Sequence, residues 1–183
     1  MLLEGKKGLV MGIANERSIA WGIAHEAYKN GAKLCLTYQN ELFKERIDKL
    51  ASSINCDFIL NCDVENQTSI KKLFNEISNV WEEIDFIVHA MAFSDKNELK
   101  GEFYNTTKEN FNRTMLISSF SLTEISKEAQ NLMDKSGGSI LTLSYIGGER
   151  TTPNYNVMGV AKAALECSVR YLSVDLGKKN IRI

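Results

Sequence analysis

The chain has 183 residues, of which 44% are hydrophobic and 25% are charged, a composition typical of a globular domain with a sizeable core. Its formal net charge of −1 gives no electrostatic reason to expect nucleic acid or an anionic membrane as a partner. No apolar run approaches the roughly 20 residues needed to cross a bilayer. The four cysteines form no C-x-x-C pair, which favours reduced thiols in a cytoplasmic protein. A single proline and the lack of repeats predict one domain, residues 1–183.

Short apolar runs alternate with longer amphipathic segments along the chain. The predicted strands cover 8–12, 32–38, 57–64, 84–90 and 138–145, and the predicted helices cover 18–31, 41–53, 66–81, much of 107–133 and 154–178. Parallel strands need crossover connections, so this alternation predicts an α/β fold with a Rossmann-type, doubly wound parallel sheet. Ligands in such sheets bind outside the carboxyl ends of the strands, and we expect those ends to line one crevice.

The turn after the first strand reads GIANERSIAWG, from Gly12 to Gly22, without the G-x-G-x-x-G pattern. An ordinary strand–helix loop and a phosphate-binding loop are both compatible with it. Ser18 favours the second, because its hydroxyl can cap the helix and bond a phosphate at the positive end of the helix dipole. Gln39 follows the second strand, where Rossmann proteins often carry Asp or Glu for the adenosine ribose. Glu41 beside it disfavours a ribose 2′-phosphate, so the predicted cofactor is NADH rather than NADPH.

The stretch PNYNVMGVAK carries Tyr155 seven residues before Lys162. On a helix this spacing rotates about 700°, so the two side chains would share a face, roughly 10 Å apart along the axis. Ordinary short-chain reductases place a Tyr four residues before the Lys and a Ser thirteen residues before that Tyr. Those positions here hold Met158 and Tyr145. Two tyrosines and a lysine near one strand end predict an active site that differs from that of the ketone reducers.

The stretches GIANERSIAWGIA, LTYQNE, CDV, VHAMAFS, LTLSYIGGER and PNYNVMGVAKAALE together resemble the enoyl-[acyl-carrier-protein] reductases, a divergent branch of the short-chain dehydrogenase/reductases. The resemblance runs through the whole chain, but Ala90 and Ala92 stand where members often carry Ser and Gly. His89, at the end of a predicted buried strand, is expected to be a hydrogen-bonded structural residue. The chain stops at KKNIRI, so the fold is expected to lack the last strands and the substrate-binding loop, to expose a sheet edge, and to bind substrate poorly or be inactive as written.

The resemblance implies NADH-dependent reduction of trans-2-enoyl thioesters of acyl carrier protein in fatty-acid biosynthesis, by a homotetramer without a metal. Tyr155 would donate to the thioester carbonyl oxygen, Lys162 would hold the nicotinamide ribose, and Tyr145 would supply a proton or position the substrate. The implied cofactor-binding residues are Gly12, Ser18, Ile19, Gln39, Asp63, Val64, Met91 and Lys162. Ser94 and Tyr155 are implied to bind substrate. Two alternatives stay open, a ketoacyl-type short-chain reductase, which Met158 opposes, and a non-catalytic NAD-binding module.

Overall fold

Six strands form a parallel sheet with helices on both faces. The computed structural model of the protein describes residues 1–133 and 136–183. The strands are β1 (Lys7–Met11), β2 (Lys33–Tyr38), β3 (Ile59–Asn61), β4 (Phe86–His89), β5 (Gly138–Thr142) and β6 (Ile181–Arg182). The helices are α1 (Ile19–Lys29), α2 (Glu41–Ser52), α3 (Gln67–Ser78), α4 (Lys108–Met115), α5 (Ser121–Met133) and α6 (Asn156–Gly177).

The strand order is β3-β2-β1-β4-β5-β6, and every neighbouring pair is parallel. The chain builds outward from β1 to β3, then crosses over to β4 and builds outward in the opposite direction. This order confirms the predicted Rossmann-type, doubly wound fold. The direction reverses between β1 and β4, and a crevice forms there at the carboxyl ends of the strands.

Successive residues of the central strands point to opposite faces of the sheet and enter two separate cores. Leu9 and Ile87 pack with the side chains of α3, α5 and α6. Their neighbours Val10 and Val88 pack with those of α1 and α2. All four are at most 3% exposed. Burial on both faces explains why these strands read as continuous apolar runs rather than as alternating ones.

β3 is shorter than the predicted strand 57–64, because the chain turns at Asp63. The Asp63 amide donates to Ser69 Oγ at 3.0 Å, and Asp63 Oδ1 accepts from the Glu65 amide at 3.1 Å. These side-chain bonds replace the ladder bonds of a strand. The turn carries Val64 to the carboxyl edge of the sheet.

The predicted helix 107–133 begins one residue later and contains a π-helical turn at Leu116–Phe120 that joins α4 to α5. Within this turn, Ser118 Oγ accepts from the Phe93 amide at 3.0 Å. Ser121 Oγ donates to the Ile117 carbonyl at 2.6 Å and also contacts His89. Because π turns are rare and often accompany functional sites, it is relevant that this one contacts the segment that follows β4.

Candidate active site

The ends of β1, β2, β3 and β4 line a first cleft of about 220 Å³. Gly12 leaves β1 with φ +92°, and a Cβ atom there would lie 2.1 Å from the Ala90 carbonyl oxygen. Only glycine fits this backbone, because the conformation is left-handed and the neighbouring chain is too close for a side chain. β1 and β4 can therefore approach each other at the point where their chains leave the sheet.

Gln39 lies at the outer end of this cleft. Its side-chain amide donates to Asp63 Oδ1 at 3.4 Å, which joins the ends of β2 and β3. The two basic side chains that follow Gln39 in the first turns of α2 have other partners: Lys44 Nζ lies 3.9 Å from the Glu41 carboxylate, and the Arg46 guanidinium lies over the Phe43 ring. This charge distribution favours a ribose that carries no 2′-phosphate.

The Ser18 hydroxyl does not cap α1, which corrects one expectation from the sequence. Ser18 occupies the N-cap position with extended backbone, yet its side chain makes no capping bond. Its Oγ instead accepts from the amides of Ala14 and Asn15, both at 3.0 Å. The hydroxyl is thus used to fold the loop after β1 back on itself. A hydroxyl that accepts two bonds keeps its own hydrogen for donation, which is compatible with a phosphate oxygen above it.

A second cleft of about 410 Å³ lies beside the first and shares Ala90, Met91 and Ala92 with it. Its other lining residues are Ile19, Leu143, Ser144, Tyr145, Thr152, Pro153, Tyr155 and Lys162. The two clefts together form one crevice along the carboxyl edge of the sheet. Both tyrosines and the lysine that the sequence singled out line its second part.

Tyr145 and Tyr155 pack against each other, with ring centroids 4.8 Å apart. Gly147 makes this contact possible, because a Cβ atom there would lie 2.5 Å from the Tyr155 ring and 3.2 Å from the Tyr145 ring. Burial, and secondarily Tyr145, raises the pKa of the Tyr155 phenol. The phenol is therefore uncharged at neutral pH and can donate a hydrogen bond.

Tyr155 does not lie within the helix that carries Lys162, so the helical-face argument from the sequence is wrong for it. α6 begins at Asn156, and Tyr155 is the N-cap residue, with φ −122°. Its neighbours Asn154 and Asn156 have φ of 59° and 29°, a region where Asn is enriched. The Asn156 amide donates to the carbonyl oxygens of Glu98, Lys100 and Gly101. A turn that is fastened to the loop after β4 therefore positions the phenol.

Lys162 lies on α6 with only 5% of its surface exposed. Its Nζ donates to the Leu143 carbonyl at 2.7 Å, and an ammonium group has two further N–H donors. Burial lowers the pKa of Lys162, and Glu166 opposes that shift. His89 is fully buried, and burial, with the Lys162 charge second, lowers its pKa to about 3. The histidine ring is thus uncharged at neutral pH.

His89 contacts hydroxyl groups at both ring nitrogens. Nδ1 lies 2.9 Å from Thr142 Oγ1, and Nε2 lies 2.8 Å from Ser121 Oγ. The neutral ring has one donor and one acceptor, so one hydroxyl must accept from it and the other must donate to it. His89 thereby joins β4, β5 and the start of α5 directly beneath the crevice.

Comparison with known proteins places the chain in a family. The model of the enoyl-(acyl carrier protein) reductase family matches residues 12–183. The chain belongs to that family. It is 54% identical to the enoyl-[acyl-carrier-protein] reductase [NADH] FabI of Rickettsia bellii, over all of this chain and 69% of that protein. It is 55% identical to enoyl-[acyl-carrier-protein] reductase [NADH] 2 of Rhizobium meliloti, over all of this chain and 68% of that protein. The crystal structure of the enoyl-(acyl-carrier-protein) reductase of Anaplasma phagocytophilum in complex with NAD superimposes with a TM-score of 0.97 at 52% identity, over all of this chain and 70% of that one.

The enoyl reductase family resemblance assigned cofactor, substrate or catalytic roles to eleven residues, and the structure distributes them unevenly. Gly12, Gln39, Val64 and Met91 line the first cleft, and Met91, Ile19, Tyr145, Tyr155 and Lys162 line the second. Asp63 and Ser18 lie behind the lining, where they hold neighbouring loops. Ser94 is 9% exposed, lines neither cleft, and bonds Asn110 and Thr114 of α4.

Sequence reasoning missed several residues that line the first cleft. Thr37, Phe43, Phe93 and Arg113 are among them. The Arg113 guanidinium lies 4.4 Å from the Phe93 ring centroid and pairs with both oxygens of Glu65 at 2.8 Å. Phe93 directly follows the predicted strand end, so its place was within reach of the sequence. Arg113 comes from a helix that is remote in sequence, and no local signal marks it.

The crevice fits a dinucleotide by its shape and its donors. The glycine at the end of β1 leaves open the space that a Cβ atom would fill. The N-terminus of α1 follows on the same edge of the sheet, and a helix N-terminus favours an anionic group. Lys162 offers donors at the inner end, and the uncharged Gln39 lies at the outer end.

Proposed function

We propose that the chain catalyses the NADH-dependent reduction of trans-2-enoyl thioesters of acyl carrier protein in fatty-acid biosynthesis. The observation that carries this proposal is the contact of Tyr145 with Tyr155 in a cleft that also contains the buried Lys162 and is continuous with the first cleft. Membership of the enoyl reductase family supports the same reaction. The ketone-reducing alternative is not favoured, because Met158, where those enzymes carry their tyrosine, is buried in the protein with 6% exposure.

The chemistry needs a donor at one oxygen atom. Bound NADH supplies the hydride that reduces the β-carbon of the enoyl thioester. Negative charge then develops on the thioester carbonyl oxygen, and Tyr155 is the proposed donor to that oxygen. A donor aimed at charge that forms only in the transition state lowers the barrier without tightening substrate binding equally. Loss of one such donor costs roughly 2.7–4 kcal/mol of barrier in other enzymes.

Lys162 is the proposed anchor of the nicotinamide ribose. Its Nζ is already oriented by the Leu143 carbonyl, so little side-chain freedom remains to be lost when the ribose hydroxyls bind. The same ammonium places positive charge in the cleft near the thioester oxygen. In a site this buried, such a charge acts more strongly than it would in water.

The proposed binding residues divide by cleft. Gly12, Gln39, Val64 and Met91 would contact the cofactor directly. Ser18, Ile19 and Asp63 would hold or flank its phosphate and adenosine ends. Tyr145 is proposed to position the substrate beside Tyr155. Ser94 is proposed to hold the loop that follows β4 against α4, on the substrate side of the crevice.

The deciding experiment compares two substrates. NADH oxidation is followed at 340 nm after addition of a trans-2-enoyl thioester, and in parallel after addition of a 3-ketoacyl thioester. The proposal expects oxidation with the enoyl substrate alone. Oxidation with the ketoacyl substrate alone would reverse the assignment of the reaction. Binding of NADH, seen by its fluorescence, with neither substrate reduced would support the non-catalytic NAD-binding alternative.

We further propose that residues 1–183 form one dinucleotide-binding domain and that the protein is a cytoplasmic homotetramer. Exposed apolar side chains on the π turn and on α6 support assembly: Phe120 is 50% exposed, Tyr171 75% and Val174 66%. Three of the four cysteines are buried thiols, which suits a reducing compartment. Among the residues that the structure describes, no helix is long and apolar enough to span a membrane. Light scattering after size-exclusion chromatography would test the tetramer.

A further inference from the structure

Two contacts fasten the end of β5 to α6 beside the paired tyrosines. Lys162 Nζ donates to the Leu143 carbonyl at 2.7 Å. The next residue, Ser144, donates its hydroxyl hydrogen to the Glu166 carboxylate. Lys162 and Glu166 are four residues apart, so they lie on the same face of the helix, one turn apart. Tyr145 follows Ser144 directly, and its position depends on where this segment is held.

The second consequence of Glu166 is electrostatic. Lys162 is almost fully buried, and burial disfavours its ammonium form. The groups around it from other elements are His89 of β4, which is neutral, and the phenols of Tyr145 and Tyr155, which line the same cleft. The carboxylate that opposes the burial effect is that of Glu166.

We propose that Glu166 is a positioning residue of the reduction, which holds the Ser144–Tyr145 segment against α6 and places a carboxylate one helical turn from the Lys162 ammonium. The inference rests on the proposed roles of Lys162 and Tyr145 in the reaction. Glu166 itself lines neither cleft, so its effects are proposed to pass through Ser144 and through its charge. Neither effect follows from the paired tyrosines and lysine alone.

Two variants separate the two effects. Glu166→Gln removes the charge but retains an oxygen that can accept from Ser144. Ser144→Ala removes the hydrogen bond but retains the carboxylate. Glu166→Ala removes both. Asp175→Asn is the matched control, because Asp175 is an exposed carboxylate further along α6.

The charge effect is measured directly by following the Lys162 side-chain NMR signal against pH, with Lys162→Arg used to assign the signal. Glu166→Gln is expected to move the Lys162 titration to lower pH, whereas Ser144→Ala and Asp175→Asn leave it near that of the wild type. The alkaline limb of kcat with an enoyl thioester should move with it. For each pH unit by which this limb moves to lower pH, kcat of Glu166→Gln falls about tenfold relative to the wild type, when both are measured at a pH above their alkaline limbs.

The positioning effect is measured by kcat at neutral pH in Ser144→Ala, which retains the Glu166 carboxylate. Ser144→Ala is expected to lower kcat on the order of tenfold, because a hydrogen bond to a charged group is lost. NADH affinity should stay within about twofold, and the pH limb should not move. Circular dichroism checks that each variant is folded.

The outcomes distinguish this inference from the proposed function. A Lys162 titration that is the same in Glu166→Gln and wild type would refute the charge effect, and wild-type kcat in Ser144→Ala would refute the positioning effect. If the wild type reduced no enoyl thioester while Glu166→Gln still shifted the Lys162 titration, the proposed reaction would be wrong and the charge effect would stand.

Discussion

Replacing Gly12 by alanine tests whether the close approach of β1 to β4 creates the nucleotide cleft. The added Cβ would lie 2.1 Å from the oxygen and 2.6 Å from the carbon of the Ala90 carbonyl. These are backbone atoms in a packed sheet, so they cannot move aside as the end of a flexible side chain would. The substitution therefore forces the loop after β1 away from the end of β4.

Two costs add at this position. A non-glycine residue at positive φ loses roughly 1–2 kcal/mol, and overpacking against a fixed neighbour costs about 1–3 kcal/mol. Gly12→Ala should therefore lower the free energy of unfolding by roughly 2–5 kcal/mol, a large part of the ~5–15 kcal/mol that typical domains possess. NADH affinity should fall about tenfold or more, because Gly12 and Ala90 line the same cleft.

Urea denaturation at 25 °C, followed by circular dichroism, measures the first quantity, and NADH fluorescence titration measures the second. Gly22→Ala is the matched control, since no heavy atom lies within 4 Å of a Cβ built at that helical position. Alanine in a helix interior is favoured over glycine, so the control should be more stable by about 0.5–1 kcal/mol. Equal stability of Gly12→Ala and wild type, with unchanged NADH affinity, would refute the argument.

Three further predictions concern the tyrosine, the buried histidine and the turn before α6. Tyr155→Phe should lower kcat with an enoyl thioester about 10²–10³-fold and leave NADH affinity unchanged. Lys162→Ala should lower both kcat and NADH affinity. Normal turnover in Tyr155→Phe would refute the role assigned to the Tyr155 phenol. The His89 pKa is lowered from 6.5 to about 3 in the folded protein. Between pH 6.5 and pH 3 the unfolded state therefore binds more protons than the folded state, so the free energy of unfolding falls as the pH decreases. This group contributes at most about 1.4 kcal/mol per pH unit to that fall. His89→Gln should reduce that slope in urea denaturation measured from pH 7 to pH 4, and an unchanged slope would show that the fold does not lower the His89 pKa. Asn156→Ala should lower the free energy of unfolding by roughly 1–3 kcal/mol, because φ at this residue is 29° and its side-chain amide bonds the loop after β4. Asn156→Gly loses the same hydrogen bonds but accepts the positive φ, so its free energy of unfolding should fall less. Equal losses in the two variants would contradict a cost of positive φ at this position.

The sequence predicted the sheet and its ligand-binding edge because strands that are buried on both faces appear in the sequence as continuous apolar runs. Predicted strands such as 8–12 read as apolar runs between amphipathic helices, and crossover connections then require parallel order. Several residues that strand ends carry to the crevice, among them Gly12, Val64, Met91 and Tyr145, could be placed by that rule. The π turn at Leu116–Phe120 could not be predicted, because the sequence of α4 and α5 has the same apolar period as an unbroken helix.

Side-chain partners were less predictable than positions. Ser18 stands at the N-cap as expected, but two amides of the loop that precedes it bind its hydroxyl in preference to those of α1. The family resemblance implied that Ser94 lies near the substrate, yet its hydroxyl bonds Asn110 and Thr114 of α4 and is buried against them. Both choices depend on how a loop folds back, which residue type and spacing do not determine.

The stretch PNYNVMG shows what the seven-residue spacing means physically. A helix would have set the Tyr155–Lys162 distance by its own geometry, and the sequence argument assumed this. The structure sets it by a turn instead: Asn154 and Asn156 accept positive φ, Gly147 leaves room for the phenol ring, and α6 then carries Lys162 inward. Asparagine tolerates such backbone better than most residues because its short side chain can bond locally. The position of the phenol therefore depends on the turn and on the loop to which Asn156 binds, so substitutions in that loop should change kcat even though they lie outside the crevice.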